Sequence, residues 1–191
     1  NVSNGFDLNK ISVEYKAYLG DKVLNDGDMV HENEYVKYVA KIKNNSENNA
    51  ENLNVISSVP EGTVFVELKT EELTQDDYQN HIYDECKLTE YADVKEFSKN
   101  VSINAGEEKE IYFYVRVNDL EDGITAKEIK SNIKVNNGEN EKVYSELTNM
   151  VNSADITVRV NAWETKRNLN VWLYQITVTN KKDEEIKNVK V

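Results

Sequence analysis

Apolar residues recur at every second position in several stretches of the chain, with polar residues between them. In ISVEYKAYL, Ile11, Val13, Tyr15, Ala17 and Leu19 fall on one side, while Ser12, Glu14 and Lys16 fall on the other. In YVKYVAKIKNN, Val36, Tyr38, Ala40 and Ile42 form an inner row and Lys37, Lys41 and Lys43 point outward. Leu53 and Val55 repeat the pattern, as do Ile111, Phe113, Val115 and Val117, and then Ile129, Ile133 and Val135. A period of two is what a strand with one buried face requires. Turn-formers separate the runs: Asn25-Asp26-Gly27-Asp28, Asn44-Asn45-Ser46, Ala105-Gly106 and Asn137-Gly138. Short alternating strands joined by such turns predict an all-β sandwich.

Two places depart from the rhythm. The chain's single proline, Pro60, follows the run LNVISSV and stands two residues before Gly62. It reads as a strand-ending turn where the chain leaves one sheet. Pro60 would occupy the first turn position, and Gly62 would take a backbone angle other residues resist. Residues 70–96 are too charged and aperiodic for a strand. Thr74 with Asp77, then Tyr78, Ile82 and Cys86 or Glu85, have the spacing of a capped short helix, so a helical insertion with a loop after it is predicted there.

The chain also resembles itself. YVAKIKNNSENNAENLNV (Tyr38–Val55) aligns without a gap with YQITVTNKKDEEIKNVKV (Tyr174–Val191), an offset of 136. Tyr38 meets Tyr174, Ile42 meets Val178, Asn44 meets Asn180 and Asn52 meets Asn188. KISVEYKAY similarly aligns with DITVRVNAW at a larger offset, implying a shorter first loop in the second copy. This predicts one module over residues 1–152 and the first strands of a second, incomplete module over 153–191. An alternative is that the late strands complete a shorter sandwich with the residues around Tyr144 to Met150.

Composition narrows the setting. The net charge of -12 argues against nucleic acid as a partner. From Ser153 onward seven basic and five acidic residues leave +2, so the first 152 residues carry -14. No stretch approaches the length of a membrane helix, so no membrane insertion is expected of this segment. The single cysteine, Cys86, excludes an internal disulfide framework and reads as a small buried hydrophobe.

The order of features, KIKNNSENNAENLNVISSVPEGTVFVE followed by INAGEEKEIYFYVRV and IKSNIKV, resembles the conserved repeat of bacterial surface proteins catalogued as domain of unknown function eleven. The resemblance spans residues 10 to about 137 and, in part, 155–191. It implies an immunoglobulin-like sandwich in a secreted or wall-attached protein, with neighbouring repeat modules of the same chain. The insertion at 70–96 departs from the plain pattern.

Candidate chemistry is sparse. Neither His31 nor His81 sits in a catalytic or zinc pattern, although Asp84 and Cys86 lie near His81. Asp26 and Asp28 in NDGDMVHENE, and Asp119 and Asp122 in NDLEDG, cluster oxygens that suit calcium, but turn-forming Asp and Gly explain both stretches without any ion. An isopeptide cross-link would need its Lys and Asn in the core, whereas Lys37, Lys41 and Asn132 fall on outward positions. Tyr78, Tyr83 and Tyr91 in the insertion, and the outward pair Tyr112 and Tyr114, could stack on a ligand or pair across strands. No cofactor is expected. The sequence thus points to a non-enzymatic structural or adhesive module, extracellular or cell wall-associated, with protein or glycan as partner. The runner-up is a carbohydrate- or calcium-dependent binding module appended to an extracellular enzyme.

Overall fold

The alternating runs all become strands in the computed structural model of the protein, which describes residues 6–69, 87–121, 123–153, 156–164, 172–180, 185 and 187. A 3-10 turn at Leu8–Lys10 leads into β1 (Ile11–Leu19), β2 (Lys22–Leu24), β3 (Met29–His31), β4 (Tyr35–Asn44), β5 (Ala50–Ser58) and β6 (Thr63–Lys69). Then come β7 (Lys87–Tyr91), β8 (Glu96–Ile103), β9 (Glu108–Val117), β10 (Ala126–Asn136), β11 (Glu141–Asn152), β12 (Ile156–Glu164) and β13 (Trp172–Asn180).

Two sheets pack as an immunoglobulin-like sandwich. One has the order β2-β1-β4-β9-β6-β7 and the other β3-β11-β10-β5-β8. Neighbours run antiparallel except β3 and β11, which pair in parallel through Met29–His31 and Met150–Asn152. The inner rows foreseen from alternation supply the core: Val36, Tyr38, Ala40 and Ile42 from β4, Ile111, Phe113, Val115 and Val117 from β9, and Ile129, Ile133 and Val135 from β10 are all buried. Aromatic rings run through its middle. Tyr38 stacks between Tyr15 (5.8 Å) and Phe113 (5.2 Å), and Phe113 stacks on Phe97 (4.9 Å).

Polar groups in this core are held in specific ways. The Tyr15 hydroxyl lies 2.7 Å from Ser57 Oγ and 2.6 Å from Ser131 Oγ. The two serines in turn donate to the carbonyls of Asn132 and Ser58. Burial pushes the Tyr15 phenol up to about 12. The Tyr38 hydroxyl, buried beside it, has no hydrogen-bond partner among the described residues. Asn44, fully buried at the end of β4, donates through Nδ2 to the carbonyls of Asn48 (2.7 Å) and Ile103 (3.1 Å), while its Oδ1 accepts from Ser46 N and Oγ. One side chain therefore closes the β4–β5 turn and ties it to the β8–β9 corner.

Several sequence expectations change. Pro60 does stand where the chain passes from one sheet (β5) to the other (β6), but its carbonyl accepts from Thr63 N (3.1 Å). Pro60 is thus the turn's opening residue rather than its first central one, and Gly62, with φ +85°, is the position that needs glycine. Within 70–96, Lys87–Tyr91 is the strand β7, paired to β6, and Glu96 opens β8. Edge strands bury only part of one face, so their charged positions hid the alternation. The predicted helix around Thr74–Cys86, like His81, Tyr78 and Tyr83, lies outside the described residues. Tyr144–Met150, which the alternative joined to the late strands, belong to β11, which pairs with β10 and β3.

The sandwich is entered and left at opposite ends. Phe6 and Leu8 meet the β10–β11 turn through Asn137 Nδ2 and Tyr144 Oη. Asn152, at the far end of β11, faces Ala126, and Ser153 N donates to the Thr125 carbonyl. β12 and β13 form a separate two-stranded antiparallel sheet.

Candidate functional site

The acidic candidates are employed in turn construction. Between β2 and β3, Asp26 Oδ1 accepts from Thr148 N (3.0 Å), and Asp28 Oδ2 accepts from Asn25 N (2.9 Å). The Asn25 amide beside it holds the Asp28 carboxyl below the usual range. Buried Asn149 donates to the carbonyls of Asn25 and Asp28, so the whole turn is fastened to β11. Asp119 Oδ1 accepts from Asn33 Nδ2 (2.9 Å) in a different loop, and Asp122 lies outside the described residues. Among the described residues no three His, Cys, Asp or Glu side chains gather closely enough to hold a metal ion.

Sequence reasoning passed over two charged groups that organise this end. Glu32 is buried, and its Oε1 accepts from Leu120 N (2.7 Å), pinning the loop after β9. Arg116 reaches across β6 to Glu90 of β7 in a two-point pair, Nε to Oε1 at 2.6 Å and Nη2 to Oε2 at 3.0 Å, while Nη1 donates to Asn33 Oδ1. The only warning in the sequence was an arginine on an otherwise alternating strand. A cleft of about 430 Å³ opens beside Leu120, Ile124, Ile129 and Val151, where the chain leaves the sandwich.

The tyrosine candidates divide. Tyr91 is half-buried on the edge strand β7, its ring 6.1 Å from Phe65 and its hydroxyl donating to Glu67 Oε2 (3.0 Å). Tyr112 and Tyr114 share the outer face of β9 with ring centroids 5.9 Å apart and edge-on, and Lys37 Nζ sits 4.4 Å from the Tyr112 centroid. The two rings meet along one strand, and the cross-strand element is the cation–π contact from Lys37 of β4, on a face that leaves Tyr112 exposed. Lys41, also outward, sits 4.0 Å from Glu110.

The β12–β13 hairpin is the feature that the sandwich does not explain. In the sandwich β1 pairs with β4 as Ile11↔Asn44, Val13↔Ile42, Tyr15↔Ala40 and Ala17↔Tyr38. In the hairpin the pairs are Ile156↔Asn180, Val158↔Val178, Val160↔Ile176 and Ala162↔Tyr174. Every pair follows from its counterpart by the two offsets read in the sequence, so the hairpin repeats the β1–β4 register residue for residue. Burial is reversed. Tyr38, Ala40 and Ile42 are 1%, 2% and 0% exposed, whereas Tyr174, Ile176 and Val178 are 65%, 53% and 39% exposed.

No family model matches the chain, and no curated protein matches it. Similar solved structures include the C-terminal domain of the antigen I/II polypeptide BspA of Streptococcus agalactiae, at 12% identity and TM-score 0.47, covering 78% of this chain and 52% of that one. The C-terminal domain of the Streptococcus pyogenes antigen I/II-family protein AspA is similar at 11% identity and TM-score 0.45, covering 80% and 56%. The CARDB domain of a Pyrococcus furiosus protein is similar at 17% identity and TM-score 0.40, covering 75% and 94%. The chain spans about half the length of the two streptococcal domains. Likenesses this remote carry no argument about activity.

Proposed function

We propose that the chain is a non-enzymatic structural or adhesive segment of a bacterial surface or secreted protein. In this reading residues 1–152 form one module, and residues 153–191 open a second of the same kind. Protein or glycan at the cell surface is the class of partner. The observation that carries the reading is the identity of register between β1–β4 and β12–β13. Two strand pairs whose sequences align at fixed offsets and whose registers agree residue for residue are what a modular array of one repeated unit would present. The opposite-end placement of Phe6 and Asn152 supports it further, because modules so connected extend end to end.

Force spectroscopy on the chain tethered at its two termini tests this. A load-bearing module unfolds in one cooperative event, releasing about 500 Å of chain for the 6–152 unit at roughly 3.5 Å per residue. Gradual unravelling with no such event would remove the spacer reading.

A further inference from the structure

We infer that the outer face of the sheet containing β1, β4 and β9 is a binding platform for an acidic glycan, one whose sugar rings bear carboxylates. This deepens the adhesive reading above and takes only its setting from it. In one cross-strand row of this face Tyr18 lies opposite Lys37, and Lys37 opposite Tyr114. In the adjacent row Lys16 lies opposite Val39, and Val39 opposite Tyr112. Val39 is outward by alternation yet only 5% exposed, so the longer side chains around it cover the sheet there, whereas Tyr112 is 53% exposed.

Charge singles out Lys37. On a segment of net charge -14, the outward positions of these strands carry Lys16, Lys37, Lys41, Lys43 and Arg116 against Glu14, Glu108 and Glu110. The other cations each face a carboxylate. Lys16 pairs with Glu14, Lys41 lies 4.0 Å from Glu110, Arg116 holds Glu90, and Lys43 stands opposite Glu108. Lys37 pairs with no carboxylate among the described residues, and its Nζ sits 4.4 Å and 5.9 Å from the ring centroids of Tyr112 and Tyr114. A ligand carboxylate completes a charge-assisted bond there. The tyrosines offer the rest of what a sugar needs, an apolar ring face for the C–H side of a pyranose and a hydroxyl for its oxygens. Size separates a sugar from a protein. Strand spacing of about 4.8 Å and a rise of about 3.4 Å per residue give the platform roughly 10 Å by 7 Å. The Lys41–Glu110 and Arg116–Glu90 pairs bound it at its two ends. A stable protein partner covers about 800 Å², so a short stretch of acidic oligosaccharide is the occupant that fits.

The test is titration of the 191-residue chain with trigalacturonate, with sialyllactose and with neutral lactose, read by NMR shifts of the β1, β4 and β9 amides. At least one acidic sugar is expected to bind, with shifts centred on Tyr18, Lys37 and Tyr112, and lactose about tenfold more weakly. The tighter of the two acidic sugars identifies the source of the carboxylate, a uronate polymer or a sialylated glycan. Lys37→Met costs about tenfold in affinity and removes the preference for acidic sugar, whereas Lys37→Arg keeps it. Tyr112→Ala weakens acidic and neutral sugar alike. An unchanged thermal transition checks that each variant is folded. Failure of both acidic sugars to bind overturns the inference. So does an acidic sugar that binds no tighter than lactose, or a Lys37→Met chain that binds as before. A glutamate-rich peptide that shifts the same amides with equal affinity also overturns it and assigns the face to a protein. Unfolding under force judges the spacer reading separately, so a chain that unfolds in one event but binds no sugar loses this inference alone.

Discussion

The β1–β4 pair and the β12–β13 pair have the same register and the same alternation, and they end in opposite environments. Tyr38 is sealed between Tyr15 and Phe113, whereas its counterpart Tyr174 is mostly exposed. Local pattern makes the strand pair in both places. What differs is the supply of partners: β4 has β9 on its other edge and a second sheet over its inner face, and β13 has neither among the described residues. Burial in this protein is therefore a property of the assembled sheets, and the hairpin only qualifies for it.

The strongest way to break the comparison is to truncate both tyrosines. Tyr38→Ala removes a ring from the centre of the aromatic stack and is expected to destabilise the sandwich by about 3–5 kcal/mol. Tyr174→Ala is expected to move the same transition by no more than about 0.5 kcal/mol. Chemical denaturation at low protein concentration reads both, and equal losses would mean that the hairpin is part of the cooperative unit. Next comes the asparagine pair. Asn44→Ala leaves the carbonyls of Asn48 and Ile103, the latter buried, without this donor, for a loss of about 2–4 kcal/mol. Asn180→Ala is expected to change sandwich stability only marginally by the same assay.

Alkaline titration sharpens the picture at Tyr15. Its phenol holds its proton to about 12 in the fold, while the unfolded chain releases it near the ordinary value of 10. The folded state thus binds more protons in that window, and stability falls as pH rises. The full contribution is present below pH 10, and about 2–3 kcal/mol is lost by pH 12. Tyrosinate absorbance followed alongside unfolding checks this; ionisation of all eleven tyrosines near pH 10 in the still-folded protein would refute it.

The smallest effects come from deleting single hydroxyls. Tyr15→Phe removes the hydroxyl shared by Ser57 and Ser131, which keep their bonds to the Asn132 and Ser58 carbonyls, and should cost about 1 kcal/mol, whereas Tyr38→Phe removes a buried hydroxyl that has no partner among the described residues and should gain about as much. Opposite signs in thermal unfolding are the signature, and like signs would show that the Tyr38 hydroxyl is satisfied in solution.

Much of this was legible beforehand. Alternation alone identified the inner rows of β1, β4, β9 and β10, because a strand half-buried along its length must bury every second residue. The repeat offsets anticipated the hairpin register, since strand pairing with period two tolerates no slip of one residue. Less was legible at the edges and loops. β7 and β8 sit at sheet margins, where charged residues are tolerated and periodicity fades. The acidic turns read as turns with a cation site as the lesser alternative, because the same carboxylates serve either purpose. Only the fold turned Asp26 and Asp28 onto the amides of Thr148 and Asn25.

What the sequence determined by itself, then, was which residues of each strand would prefer a core and which stretches resembled one another in pattern, because both depend on neighbours along the chain. The tertiary structure alone decided which of those faces was covered. It placed Ser57 and Ser131, 42 and 116 residues along the chain from Tyr15, around its hydroxyl, and brought Glu90 to Arg116. Burial and electrostatic pairing depend on distance in space, and residues so far apart in the chain meet only once the sheets have closed.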